Sequence, residues 1–125
     1  MLMDPRLQEG VRLFNQGKFF ECHEVIESLW LEVRDANRDF YKGIIQAAAA
    51  FHHLRRGNLS GAEELLKTSL HHLNQYPSET LGLNVHQLTA DIKDCLTSLK
   101  KRKADEKSFS PELLFPTLDF RIDSC

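Results

Sequence analysis

Residues 17–30, Gly-Lys-Phe-Phe-Glu-Cys-His-Glu-Val-Ile-Glu-Ser-Leu-Trp, decide how the chain is read, because here ionisable side chains sit on an apolar helical face. At about 100° per residue, Phe19, Cys22, Ile26, Leu29, Trp30 and Val33 gather into one stripe suited to a core. Beside it run His23, Glu27 and Arg34, spaced i, i+4 and i+11 and therefore nearly in line along the axis. Phe20 and Leu31 lie beyond them and are apolar again. A polar line with hydrophobic residues on both flanks is expected under a second helix rather than in bulk water. Glu24 points further out, towards Glu21, Ser28 and Glu32, as a solvated carboxylate.

Working outward, Asp4-Pro5 supplies an N-cap followed by proline at the first helical position, and predicts a helix over Pro5 to Gln16. Gly17 ends it, so that the second helix, running to about Arg34, folds back as an antiparallel hairpin. A third helix starts at Asn37 or Asp39 and reaches Arg56 before Gly57. Its apolar residues cover more than half of its circumference, which makes it the central element, and its alanines let neighbouring backbones come close. Lys42, Gln46 and His53 form a narrow polar stripe on it, expected to face the seam on helix two. Asn58 caps a fourth helix, and Asn84 with Gln87 forms a capping box for a fifth that ends in Lys100 to Lys103. No clear internal repeat is legible; two hairpins in succession are the arrangement of helical-repeat proteins, but the first carries too little of the tetratricopeptide pattern. The expected fold is all-α: a single-domain bundle of about five helices, built from antiparallel helical hairpins over residues 1–103. An extended C-terminal tail, 104–125, is expected to pack back on the bundle through Phe109, Leu113, Leu114, Phe115, Leu118 and Phe120.

At 125 residues the chain suffices for one domain with a sizeable core. Sixteen lysines and arginines against eighteen aspartates and glutamates give a net charge of −2, which argues against a dedicated nucleic-acid binder. Cys22, Cys95 and Cys125 are odd in number, widely spaced and preceded by no secretory leader, so reduced thiols in a cytoplasmic setting are expected. No apolar run approaches the roughly 18 residues of a membrane span. Gly-rich phosphate loops, nucleophile elbows and paired-cysteine zinc spacings are also missing.

The strings L-F-N-Q-G-K-F-F-E-C-H-E-V-I-E-S-L-W, R-D-F-Y-K-G-I-I-Q-A-A-A-A-F-H-H-L-R-R-G-N-L-S-G-A and, more weakly, L-G-L-N-V resemble the bacterial, archaeal and plastid family called domain of unknown function 309. The resemblance covers roughly Leu13 to Val85. It implies an all-helical bundle with a His-Glu-x-x-Glu signature, here His23, Glu24 and Glu27. This chain has Cys22 where the family tends to have alanine. The family is sometimes labelled a predicted metal-dependent hydrolase, a label that rests on the motif.

Two readings of the seam follow. In the first, His23 and Glu27 share a divalent ion such as zinc or manganese, and His53 is the best candidate for the third ligand that a catalytic site needs. His52 and His72 are weaker, and Glu24 or Glu27 takes the proton of a metal-bound water. The Glu-x-x-His pairs of di-iron bundles do not occur. In the second reading, His23, Glu27 and Arg34 form a hydrogen-bonded network in a non-catalytic module. Its pocket between helices two and three, with Trp30, Arg34, Lys42 and Gln46, binds a small molecule or a partner segment. Cys22, on the apolar stripe, is expected to be an inert packing residue in either case.

Overall fold

The computed structural model describes residues 4–104, with side chains described to residue 101. Five helices follow in order: α1 (Pro5–Asn15), α2 (Phe19–Glu32), α3 (Arg38–Arg55), α4 (Leu59–Leu73) and α5 (Val85–Ala104). A two-stranded antiparallel ribbon, β1 (Glu79–Thr80) and β2 (Leu83–Asn84), lies between α4 and α5. Its turn is made by Leu81 and Gly82, both at positive φ. The all-α expectation holds. The C-terminal tail expected to pack on the bundle lies outside the described residues, save for Ala104. Among the described residues no helix is long and apolar enough to cross a membrane.

The caps form where the side chains allow them. Asp4 Oδ1 accepts from the Arg6 backbone N–H at 2.8 Å, with Pro5 at the first helical position. Asn58 Oδ1 accepts from Gly61 N–H at 3.1 Å, and Asn84 Oδ1 from Gln87 N–H at 3.0 Å. Each oxygen satisfies a donor that the first helical turn leaves without an internal partner.

The two helix–helix turns are the same structure forty residues apart. Gly17 and Gly57 both adopt positive φ, at 77° and 82°. Gly17 N–H bonds to Phe14 O and Lys18 N–H to Leu13 O; Gly57 N–H bonds to Leu54 O and Asn58 N–H to His53 O. The next helix opens with Cys22 N–H on Lys18 O and, equivalently, Ala62 N–H on Asn58 O. The turn therefore recurs in the structure, while the sequence carries no clear repeat, as expected. The recurrence is carried by one positive-φ glycine and by apolar positions filled by different residues, Phe14 with Leu54, Cys22 with Ala62 and Ile26 with Leu66. Such a recurrence leaves almost no identity to detect.

Helix α3 is the hub, packed between α2 and α4, while α1 packs on α2 and α5 on α4. Phe40, Ile44, Ala47, Ala48, Ala50, Phe51 and Leu54 are buried around it. The crossing with α4 is tight because Gly43 has no side chain: a Cβ there would stand 2.8 Å from Leu73 Cγ and Cδ2 and 3.3 Å from His72 Cβ. Ser69 Oγ, buried in the same crossing, donates to Gly43 O at 2.7 Å. At the lower end Phe14, Phe19 and Phe51 meet with ring centroids 5.1 to 5.7 Å apart. Arg55 ties the two hairpins there by donating to Gly17 O at 2.6 Å. At the upper end the Tyr76 hydroxyl donates to Ala36 O at 2.5 Å and accepts from Phe40 N–H at 3.0 Å, holding the start of α3.

Two outcomes follow in urea denaturation. Gly43→Ala forces Leu73 or the α4 backbone to move, and is expected to lower stability by about 1–3 kcal/mol, which exceeds the gain of up to about 1 kcal/mol in helix propensity. Tyr76→Phe removes two hydrogen bonds with little change of shape and should cost about 1–2 kcal/mol.

Candidate functional site

His23 is held by its own helix. Its Nε2 lies 3.2 Å from Glu27 Oε2, one turn on, and its ring stacks on Phe20 at 6.2 Å and 20°. Its Nδ1 is buried without a hydrogen-bond partner. Glu24 is exposed, as expected of a solvated carboxylate.

The seam does not continue to Arg34. Helix α2 ends at Glu32, Val33 is extended at φ −81° and ψ 130°, and Arg34 is an exposed residue beyond the helix. Periodicity placed it in line only by extending the helix past the point where the chain turns towards α3. Phe20 and Leu31, expected under a covering helix, are exposed by 49% and 55%. Beside Phe20 the surface is hollow, because one of the α3 residues there, Ala49, offers only a methyl group.

That shortfall makes a cleft. Phe20, His23, Ala49, His52 and His53 line an open hollow of about 160 Å³ between the start of α2 and the end of α3. The Phe20 and His52 centroids are 5.5 Å apart, and His52 and His53 6.2 Å. His53 Nδ1 accepts from Asn58 Nδ2 at 3.2 Å, so this histidine is braced by the residue that caps α4. Burial, then the charges of Arg56, His53 and Arg55, hold the His52 imidazole below its ordinary range, against a smaller opposing pull from Glu21. This favours the uncharged form of the ring, which suits stacking.

The remaining pocket residues separate. Lys42 does face α2: its Nζ is 4.4 Å from the centroid of Trp30, and the Arg38 guanidinium carbon is 4.0 Å from it. Trp30 Nε1, like His23 Nδ1, is buried without a partner. Gln46 turns the other way, its Oε1 2.7 Å from His72 Nδ1, and belongs to the α3–α4 contact. No three His, Cys, Asp or Glu side chains among the described residues are grouped to hold a metal ion, so His53 does not complete a ligand set with His23 and Glu27. Ala49 is the lining residue that sequence reasoning passed over, and His52, read there as a weaker candidate ligand, lines the hollow beside Phe20. The signal for Ala49 was position, since it falls one turn before His53 on the same face of α3.

Residues 7–65 match the family described as Domain of unknown function (DUF309). This region is similar to that family. The resemblance drawn from the sequence holds, although the match begins earlier than Leu13 and ends at Leu65, short of Val85. The matched region takes in α1, α2, α3 and the first half of α4, and so every residue of the cleft. An uncharacterised protein of Aquifex aeolicus is 29% identical over 91 residues, covering 72% of this chain and 27% of that protein. The uncharacterised protein YpuF of Bacillus subtilis is 39% identical over 69 residues, covering 53% of this chain and 40% of its own length. The chain thus spans well under half the length of these relatives.

Cys22, fully buried beneath the seam, has its thiol pushed up to about 12 by burial, as suits a packing residue. An unfolded chain ionises the same thiol near 9. The native state thus keeps its proton longer, and the contribution to stability is complete below about pH 9 and declines as pH rises through 12. Denaturation midpoints of the wild type and of Cys22→Ala should therefore converge with rising pH, the wild type losing up to about 1.4 kcal/mol more per pH unit in that window.

Proposed function

We propose that the protein is a non-catalytic helical module that recognises a partner segment through the cleft between α2 and α3, taking one ring-sized side chain as its anchor. The observation that carries this reading is the size and lining of the hollow. Its volume of about 160 Å³ is close to that of a cavity of about 150 Å³ that accommodates benzene. Pockets for drug-sized ligands and cofactors occupy about 300–1,000 Å³. A site of this capacity encloses a single side chain better than a metabolite. The rings of His23, His52, His53 and Phe20 line the hollow and supply stacking surfaces. The metal-dependent hydrolase reading keeps the His23–Glu27 pair in its favour and needs a third ligand that the described residues do not group with it.

Phenol or indole, titrated into labelled protein, should shift the imidazole resonances of His23, His52 and His53 in a saturable way. Ala49→Leu, which fills the hollow, should abolish the shifts while far-UV circular dichroism stays unchanged. Wild-type imidazoles that do not respond at millimolar probe overturn the reading.

A further inference from the structure

The two exposed large hydrophobic side chains among the described residues, Phe20 and Leu31, stand on one ridge of α2. Phe20, Glu24, Glu27 and Leu31 follow at i, i+4, i+7 and i+11, so the ridge is apolar at both ends and acidic between them. Helix α2 holds four glutamates and neither lysine nor arginine. Across the groove, α3 contributes Arg38, Lys42, Ala49, His53 and the capping Arg56, which fall within about 60° of one another. An acidic ridge therefore runs beside a basic stripe. A ring-sized hollow opens at one end of the groove, with an exposed phenyl ring at its lip.

Such a face is complementary to itself. Laid on by a two-fold axis along the groove, a second copy sets α2 of each chain against α3 of the other, acid on base, with Phe20 at the end that holds the opposite cleft. An axis across the groove would instead set α2 on α2 and oppose glutamates to glutamates, which like-charge repulsion disfavours. We propose that the anchor received by the cleft is Phe20 of a second copy of this chain, in a two-fold dimer whose acidic α2 ridge lies on the partner's basic α3 stripe. The proposal rests on the reading of the cleft as a recognition site, and adds the identity of its occupant.

The expected strength follows from area. A 14-residue helix is about 21 Å long, and two adjacent ridges span roughly 20 Å. The face is then about 400 Å² per copy, half of what a standard interface buries. A dimer of this kind is weak, and it weakens further with salt because charge steers its register.

Sedimentation velocity from about 10 μM to about 1 mM, the range proper to a small interface, tests it. The wild type should shift from monomer to dimer with concentration, and less so in high salt. Glu24→Lys with Glu27→Lys, and separately Arg38→Glu with Lys42→Glu, should each remain monomeric, whereas an equimolar mixture of the two variants should associate, since one contact is then as in the wild type and the other is restored with signs exchanged. Phe20→Ser, a change at an exposed position, should also remain monomeric, and circular dichroism confirms that each variant is folded. A wild type monomeric throughout, or charge variants that associate alone as the wild type does, overturns the proposal. Phenol titrated into the Arg38→Glu/Lys42→Glu variant separates the two failures: binding there with a monomeric wild type leaves the cleft reading standing and the dimer refuted, and no binding refutes both.

Discussion

The fold depends on how closely α3 is approached by α4. A helix packed on two sides must keep its neighbours near on both, and at Gly43 this is possible only because no Cβ stands between α3 and Leu73. The same approach aligns the Ser69 hydroxyl with Gly43 O, a buried acceptor that would otherwise be shared poorly. The two effects differ in size. Burying Phe40, Ile44, Phe51 and Leu54 contributes about 1.5–3 kcal/mol each, against about 1 kcal/mol for the hydrogen bond. Packing supplies the stability, and the hydrogen bond selects the register in which that packing occurs.

The cleft is a consequence of the same helix. Gln46 on α3 is directed to His72 of α4, and the residues that approach α2 are Lys42 above and the small Ala49 below. Above, Trp30 is large enough to fill the groove and is met by two cations. Below, a methyl group faces a histidine and leaves room. The two turns then set where the hollow sits, because the glycines at 17 and 57 bring the start of α2 and the end of α3 to the same end of the bundle.

Element type and order were legible because the helices have amphipathic faces and α1, α4 and α5 also have caps: Asp4, Asn58 and Asn84 all cap as their positions suggest, whereas Lys18 and Asn37 before α2 and α3 make no side-chain cap bond. The seam was half legible. His23 with Glu27 is a relation within one helix, fixed by 3.6 residues per turn, and a sequence contains that information. Whether Arg34 joins them depends on where α2 stops, and whether Gln46 faces α2 or α4 depends on the rotation of α3 about its axis. Both are set by tertiary packing, through the turn at Val33 and the close approach at Gly43. The openness of the cleft was illegible for the same reason, since it depends on a mere methyl group at Ala49 standing across from the ring of Phe20, two residues twenty-nine positions apart. The repeated turn was hidden because its information lies in backbone hydrogen bonds and one glycine rather than in side-chain identity.

The balance at His23 bears on why this stretch is built as it is. Its side chain is 30% exposed and that of Glu27 45%, so solvent screens their contact. A pair in this setting contributes about 0.3–0.5 kcal/mol at most. Against it stands Nδ1, buried without a partner, whose lost hydration costs about 1–3 kcal/mol. Taken alone, then, the arrangement does not stabilise the fold, and a plain apolar residue would serve the core better. His23 lines the hollow beside Phe20, while its Nδ1 is closed off from solvent by the surrounding protein. Burial holds the His52 imidazole below its ordinary range, which favours the uncharged ring, and such a ring packs on Phe20 without the desolvation that an imidazolium would impose.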